Sequence, residues 1–99
     1  MSAYIYGNIE IHDPALYEDY RAVVPALIAA HGGRYLVRGG AVEVLEGEGK
    51  ALRQVILEFP DMASLKRFYD SSGYTAARAI RQKASTGTLV AIEGFLPQN

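Results

Sequence analysis

The chain has 99 residues, of which 49% are hydrophobic and 21% charged, and its formal net charge is −1. That length sets one domain, residues 1–99, and the composition excludes a disordered chain and any general attraction to nucleic acid or an anionic membrane. Cysteine is absent, which removes disulfides, thiolate nucleophiles and zinc–thiolate sites. No apolar run approaches the roughly 18–20 residues of a membrane span. Met1-Ser2-Ala3-Tyr4 leads into a strand-like run without a basic n-region or a long apolar h-region, so no secretory signal is expected and the cytoplasm is the expected location.

Residues 3–11 alternate: Ile5, Ile9 and Ile11 share one face with Gly7, and Tyr4, Tyr6, Asn8 and Glu10 share the other, the pattern of a half-buried strand. Asp13-Pro14 starts a helix, with Asp13 as N-cap and Pro14 in the first turn. Tyr17, Tyr20, Val24, Leu27, Ile28 and His31 then recur at helical spacing, and Pro25 predicts a kink. Gly32 or Gly33 supplies a left-handed cap, with positive φ expected at Gly33.

A second strand begins near Arg34, with Tyr35 and Val37 on one face and Arg34, Leu36 and Arg38 on the other. Gly39-Gly40 bends it, Val42, Val44 and Leu45 resume it, and residues 46–50 form a polar loop. Residues 52–59 are a third strand, with Val55, Leu57 and Phe59 opposite in parity to Gln54, Ile56 and Glu58. Pro60-Asp61 caps a second helix carrying Met62, Leu65, Phe68 and Tyr69. Ser71-Ser72-Gly73 breaks it, a further helix covers about 74–84, and Thr88–Glu93 forms the last strand before a tail, Gly94-Phe95-Leu96-Pro97.

The order β-α-β-β-α-β is that of an α+β, ferredoxin-like chain: a four-stranded antiparallel sheet with its helices on one face. The bare face, with Tyr4, Tyr6, Leu36 and Ile56, is too apolar to leave in water. Packing it against a second copy gives a homodimer with a closed space between two sheets.

Several groups of residues together resemble a family of uncharacterised small proteins of the dimeric α/β-barrel superfamily. They are Asp13-Pro14, Tyr17 and Tyr20; His31-Gly32-Gly33-Arg34-Tyr35; Arg38-Gly39-Gly40; Glu46-Gly47; Glu58-Phe59-Pro60; and Tyr69, Ser71, Tyr74, Arg81 and Glu93-Gly94. Phe68 stands where that family often has Trp. The resemblance implies a homodimer with facing sheets and carries no reaction, since the family has no assigned function. Elsewhere in the superfamily stand cofactor-free monooxygenases, lactone isomerases and haem-binding enzymes, so the fold does not choose a chemistry.

If the apolar parities face the helices, the inter-sheet space receives Tyr4, Tyr6, Asn8, Arg38, Gln54, Glu58 and Glu93. That lining suits a small aromatic or carboxylate ligand. Arg38 is the candidate anion clamp, Glu58 the candidate proton handler through a raised pKa, and Tyr6 and Asn8 the groups that orient a carbonyl. Tyr69 and Tyr74 are candidates to close the cavity mouth. The competing reading pairs Arg38 with Glu58 structurally, in a non-catalytic dimerisation or sensing module. His31 is a catalytic candidate by type, but its place in the last helical turn favours capping or packing. Two histidines 19 positions apart, with no HxH or HxxxH spacing, predict no metal site, and no cofactor is expected. The basic cluster Lys66, Arg67, Arg78, Arg81 and Lys83 lacks the aromatic strand pattern of an RNA-binding sheet, so it reads as a solvated helix face.

Overall fold

A computed structural model describes residues 1–50 and 52–95; Leu96 and Pro97 of the expected tail lie outside the described residues. The elements are β1 (Ala3–Ile11), α1 (Pro14–Ala30), β2 (Arg34–Arg38), β3 (Arg53–Phe59), α2 (Met62–Asp70), α3 (Ser72–Ala84) and β4 (Ser85–Glu93). The sheet is antiparallel in the order β2-β3-β1-β4, the ferredoxin-like arrangement.

Local chemistry sets each boundary. The Asp13 carboxylate accepts from the Leu16 N–H at 3.1 Å, and α1 then runs through Pro25 without interruption to Ala30. Its end is a Schellman motif: Gly33 N–H donates to Ile28 O (2.9 Å) and Gly32 N–H to Ala29 O (3.1 Å). Positive φ falls on Gly32 (76°), not on Gly33 as expected from sequence. Gly33 is needed for a different reason: a Cβ there would lie 2.6 Å from Phe59 Cε1 and 2.9 Å from Ile28 Cγ2. Ser71 alone separates α2 from α3. Its hydroxyl donates to Phe68 O (2.7 Å) and accepts from Tyr74 N–H (3.2 Å), so one side chain stops one helix and starts the next.

The alternation in β1 holds, with Ala3, Ile5, Gly7 and Ile9 buried beneath the helices. Ala3 and Ile5 join Val24, Ile28, Leu57, Phe59, Leu65, Phe68, Tyr74 and Ala77, while Ile9 packs with Tyr17 and Ala84. Phe68 is the hub, its ring 5.2 Å from Phe59 and 4.5 Å from Tyr74.

Two expectations for β2 fail. The register slips between Tyr35, opposite Leu57, and Val37, opposite Ile56, with Leu36 as the extra residue of a bulge. Tyr35 therefore faces the helices, while Val37 stands on the open face. The strand also does not resume at Val42, Val44 and Leu45: residues 39–50 are irregular and exposed. Gly39, at φ 69°, turns the chain away after one last bond to Gln54 O (2.8 Å). Since β3 begins only at Arg53, residues 42–45 have no neighbouring strand to pair with.

Gly33→Ala is expected to cost about 1–3 kcal/mol through overpacking, and Gly33→Val more. Gly40→Ala, which meets no atom within 4 Å, is expected to be neutral or slightly stabilising. Chemical denaturation of the three variants checks the contrast.

Candidate functional site

The open face of the sheet carries two short polar chains. Arg34 Nε donates to Glu58 Oε1 at 2.7 Å, and the Tyr4 hydroxyl donates to Glu58 Oε2 at 3.2 Å. The Tyr6 hydroxyl donates to Gln54 Oε1, and Gln54 Nε2 donates to Asn8 Oδ1 at 2.6 Å. The cross-strand pairs Tyr4↔Glu58, Arg34↔Glu58 and Asn8↔Gln54, with Tyr6 as the diagonal neighbour of Gln54, put these side chains on one face. Around them stand Val37, Ile56, Val90 and Ile92; Val90 is 45% exposed and Ile92 48%.

Of the residues expected there, Tyr6, Asn8 and Glu58 are in place and Arg38 is not. The bulge at Leu36 sets Arg38 opposite Val55, on the helix-facing side, where its guanidinium lies 4.7 Å from the Tyr35 ring centroid. Arg34 takes the expected place beside Glu58. Glu93 also misses the open face, since it pairs with Ala3 and shares the buried parity. The hydrogen bond from Arg34, with a second from Tyr4, holds the Glu58 carboxyl below the ordinary glutamate range despite partial desolvation. A raised pKa, which a proton handler at neutral pH needs, is thus not what this carboxyl has.

His31 lies at the end of α1, its Nδ1 2.8 Å from Leu27 O and its ring edge-on to Phe68 at 5.9 Å. That is a packing position in the helical layer. Tyr69 and Tyr74 are in that layer too, on the far side of the sheet from Tyr6 and Asn8. Tyr74 is buried, with its hydroxyl 2.8 Å from that of Tyr20. Burial first, then the neighbouring Tyr74, push the Tyr20 pKa strongly upward, so this phenol stays neutral.

The helical side holds two cavities. The helices do not cover β4, which is exposed along most of its length. A cleft of about 490 Å³ opens there, walled by Leu65, Lys66, Tyr69 and Asp70 of α2, Ile5 of β1 and Leu89–Ala91 of β4. A second cavity of about 30 Å³ lies under α1 among Tyr17, Tyr20, Tyr35, Tyr74, Arg21 and Arg53. Ile5, Tyr69 and Leu89 border both. Sequence reading placed the tyrosines of α1 in the core, gave Lys66 to a solvated helix face and assigned no site role to Arg34, Arg53 or Asp70. The mixed parity of the exposed β4 residues is the signal that one edge of the sheet is uncovered. Among the described residues no three His, Asp or Glu side chains converge as a metal site, and no helix is long and apolar enough to cross a membrane.

The family model described as "Domain of unknown function (DUF1330)" matches residues 2–95. The chain belongs to this family. No curated protein matches it. Among solved structures, a protein of unknown function from Rhodopseudomonas palustris superposes with TM-score 0.75 at 18% identity, over 97% of this chain and 84% of that one. A dimeric ferredoxin-like protein of unknown function from Jannaschia sp. CCS1 gives 0.71 at 15% identity, over 95% and 100%. SnoaB, a cofactor-independent oxygenase from Streptomyces nogalater, gives 0.64 at 17% identity, over 97% and 95%. At these identities the likeness establishes the fold that this DUF1330 chain shares with them.

The open-face carboxylate also gives this DUF1330 chain an acid-sensitive element. A depressed pKa adds stability above the unfolded value, about 4.3 for glutamate, and that stability is lost as pH falls through the folded value. Asp61, which accepts the Ser64 N–H at 2.7 Å at the start of α2, behaves the same way. Glu58→Gln is therefore expected to flatten part of the fall in stability between pH 6 and pH 3, read by urea denaturation across that range.

Proposed function

We propose that this chain works as a homodimer closed through its open sheet faces and binds a small, largely apolar molecule in the cleft between α2 and β4. The observation that carries the ligand reading is the cleft itself. Its volume falls in the range of small-molecule sites, and its apolar walls carry one charge of each sign, Lys66 and Asp70, beside the Tyr69 ring. The open face is the poorer ligand site. Its polar groups already satisfy one another through Arg34–Glu58–Tyr4 and Tyr6–Gln54–Asn8. Self-satisfied polar groups among exposed Val90 and Ile92 are what a buried protein–protein surface requires.

The dimeric Jannaschia protein of the same fold supports the assembly. The cofactor-independent oxygenase among the fold neighbours supports an enzymatic form of this reading, in which the bound molecule is a substrate. The competing reading is a dimerisation or sensing module with no catalysis.

Sedimentation velocity at micromolar concentration is expected to show a dimer for the native chain and a folded monomer for Val90→Lys/Ile92→Lys. Both positions are already half-exposed in one protomer, so charging them separates association from folding. A native monomer contradicts the assembly. For the cleft, melting curves against a panel of small aromatic and carboxylate compounds are expected to show a shift that Ala91→Trp abolishes. Ala91 is an exposed wall residue, and the larger side chain fills the space. A dimer whose melting no compound moves is the dimerisation module.

A further inference from the structure

At the β2–β3 edge of the sheet, opposite the α2–β4 cleft, a second group of side chains stands on the helical side. The register sets Arg38 opposite Val55 and Arg53 opposite Ile9, so both arginines share the face of Tyr35. Such diagonal neighbours have backbones roughly 7–8 Å apart. The Arg38 guanidinium lies 4.7 Å from the Tyr35 ring centroid, and that of Arg53 lies 5.6 Å from the Tyr17 ring. Stacking uses the face of a guanidinium and leaves its N–H edge free for an anion.

No acidic partner occupies that edge among the described residues. The ion pairs found are Arg21–Glu18 and Arg34–Glu58, and neither involves Arg38 or Arg53. Arg53 Nε is buried without a hydrogen-bond partner, and so is Nε of Arg21, which borders the same small cavity. Burial pushes the Tyr35 hydroxyl pKa up, and the charges of Arg38 and Arg53 pull against it. The buried Arg53 Nε–H, left without a partner, costs free energy unless an acceptor reaches it.

The backbone is also shaped for this group. Gly39 has positive φ, and the Arg53 guanidinium fills the space that a Cβ on Gly39 would need. The Arg38-Gly39 step thus turns the chain and makes room for the second arginine at once.

We propose that Arg38 and Arg53, with the hydroxyls of Tyr35 and Tyr17, bind a small oxyanion, the carboxylate or phosphate group of a metabolite. The site lies at the β2–β3 edge of the helical face, at the other end of that face from the α2–β4 cleft. Titrating the native chain with benzoate and, separately, with inorganic phosphate, at ionic strength held constant with sodium chloride, tests it by NMR. The Nε–H signals of Arg38 and Arg53 are expected to move saturably. Affinity is expected to fall about tenfold in Arg53→Gln and in Arg38→Gln. Arg38 is exposed, so its variant keeps the test valid if Arg53→Gln fails to fold. Response to benzoate alone identifies a carboxylate site, and response to phosphate alone identifies a phosphate site. No saturable response to either anion, or affinity in both variants unchanged from the native chain, overturns the proposal.

Discussion

Each β-α-β crossover returns to the sheet with the same hand, so all the helices of this chain pack on one face of its sheet. Every other feature follows from that one-sided cover. The buried parity of β1 and β3 fills with Ile5, Ile9, Leu57 and Phe59 because α1, α2 and α3 lie over it. The other parity is left open, a mixture of Val37, Ile56, Val90 and Ile92 with internally bonded Tyr4, Tyr6, Asn8, Gln54 and Glu58. Three helical segments are also too few to cover four strands. The uncovered strand is β4, and the cleft beside α2 is the space left over.

The bulge at Leu36 decides what each face can do. One extra residue reverses the parity of the strand beyond it, so Arg34 and Arg38 part company across the sheet. Arg34 goes to the open face and ties down Glu58. Arg38 goes to the helical face and joins Tyr35, Tyr17 and Arg53. The open face is left with Glu58 paired to Arg34, and the helical side gains a cationic edge with no ion pair among the described residues. Gly39 then turns the chain out of the sheet, and the segment after it has no strand to pair with.

The fold was legible in the residues because its signals are local. Alternation in β1, Asp13 and Asp61 as caps, and the glycines after α1 each act within a few positions, and the structure has all of them. The cap also shows where local reading stops. That Gly32 or Gly33 ends α1 was readable, but the reason for Gly33 was not, because it depends on Phe59, distant in sequence. The candidate site failed in the same way. Alternation applied across Leu36 placed Arg38 beside Glu58, and nothing between Tyr35 and Arg38 announces a slip that the pairing with β3 produces. Val42, Val44 and Leu45 have strand character, yet a strand forms only beside a partner. Tyr69 and Tyr74 were read as closing the mouth of a space between sheets, whereas their helices hold them on the opposite side.

The central claim is that the open face of one chain meets the open face of another. Isotope-filtered NOE spectroscopy on mixed labelled and unlabelled protein tests it most directly, since only contacts between protomers give signal. The account predicts intermolecular cross-peaks from the methyl groups of Ile56, Val90 and Ile92. Intermolecular cross-peaks from Val23 on the exposed side of α1 in their place, or none at all, would contradict it.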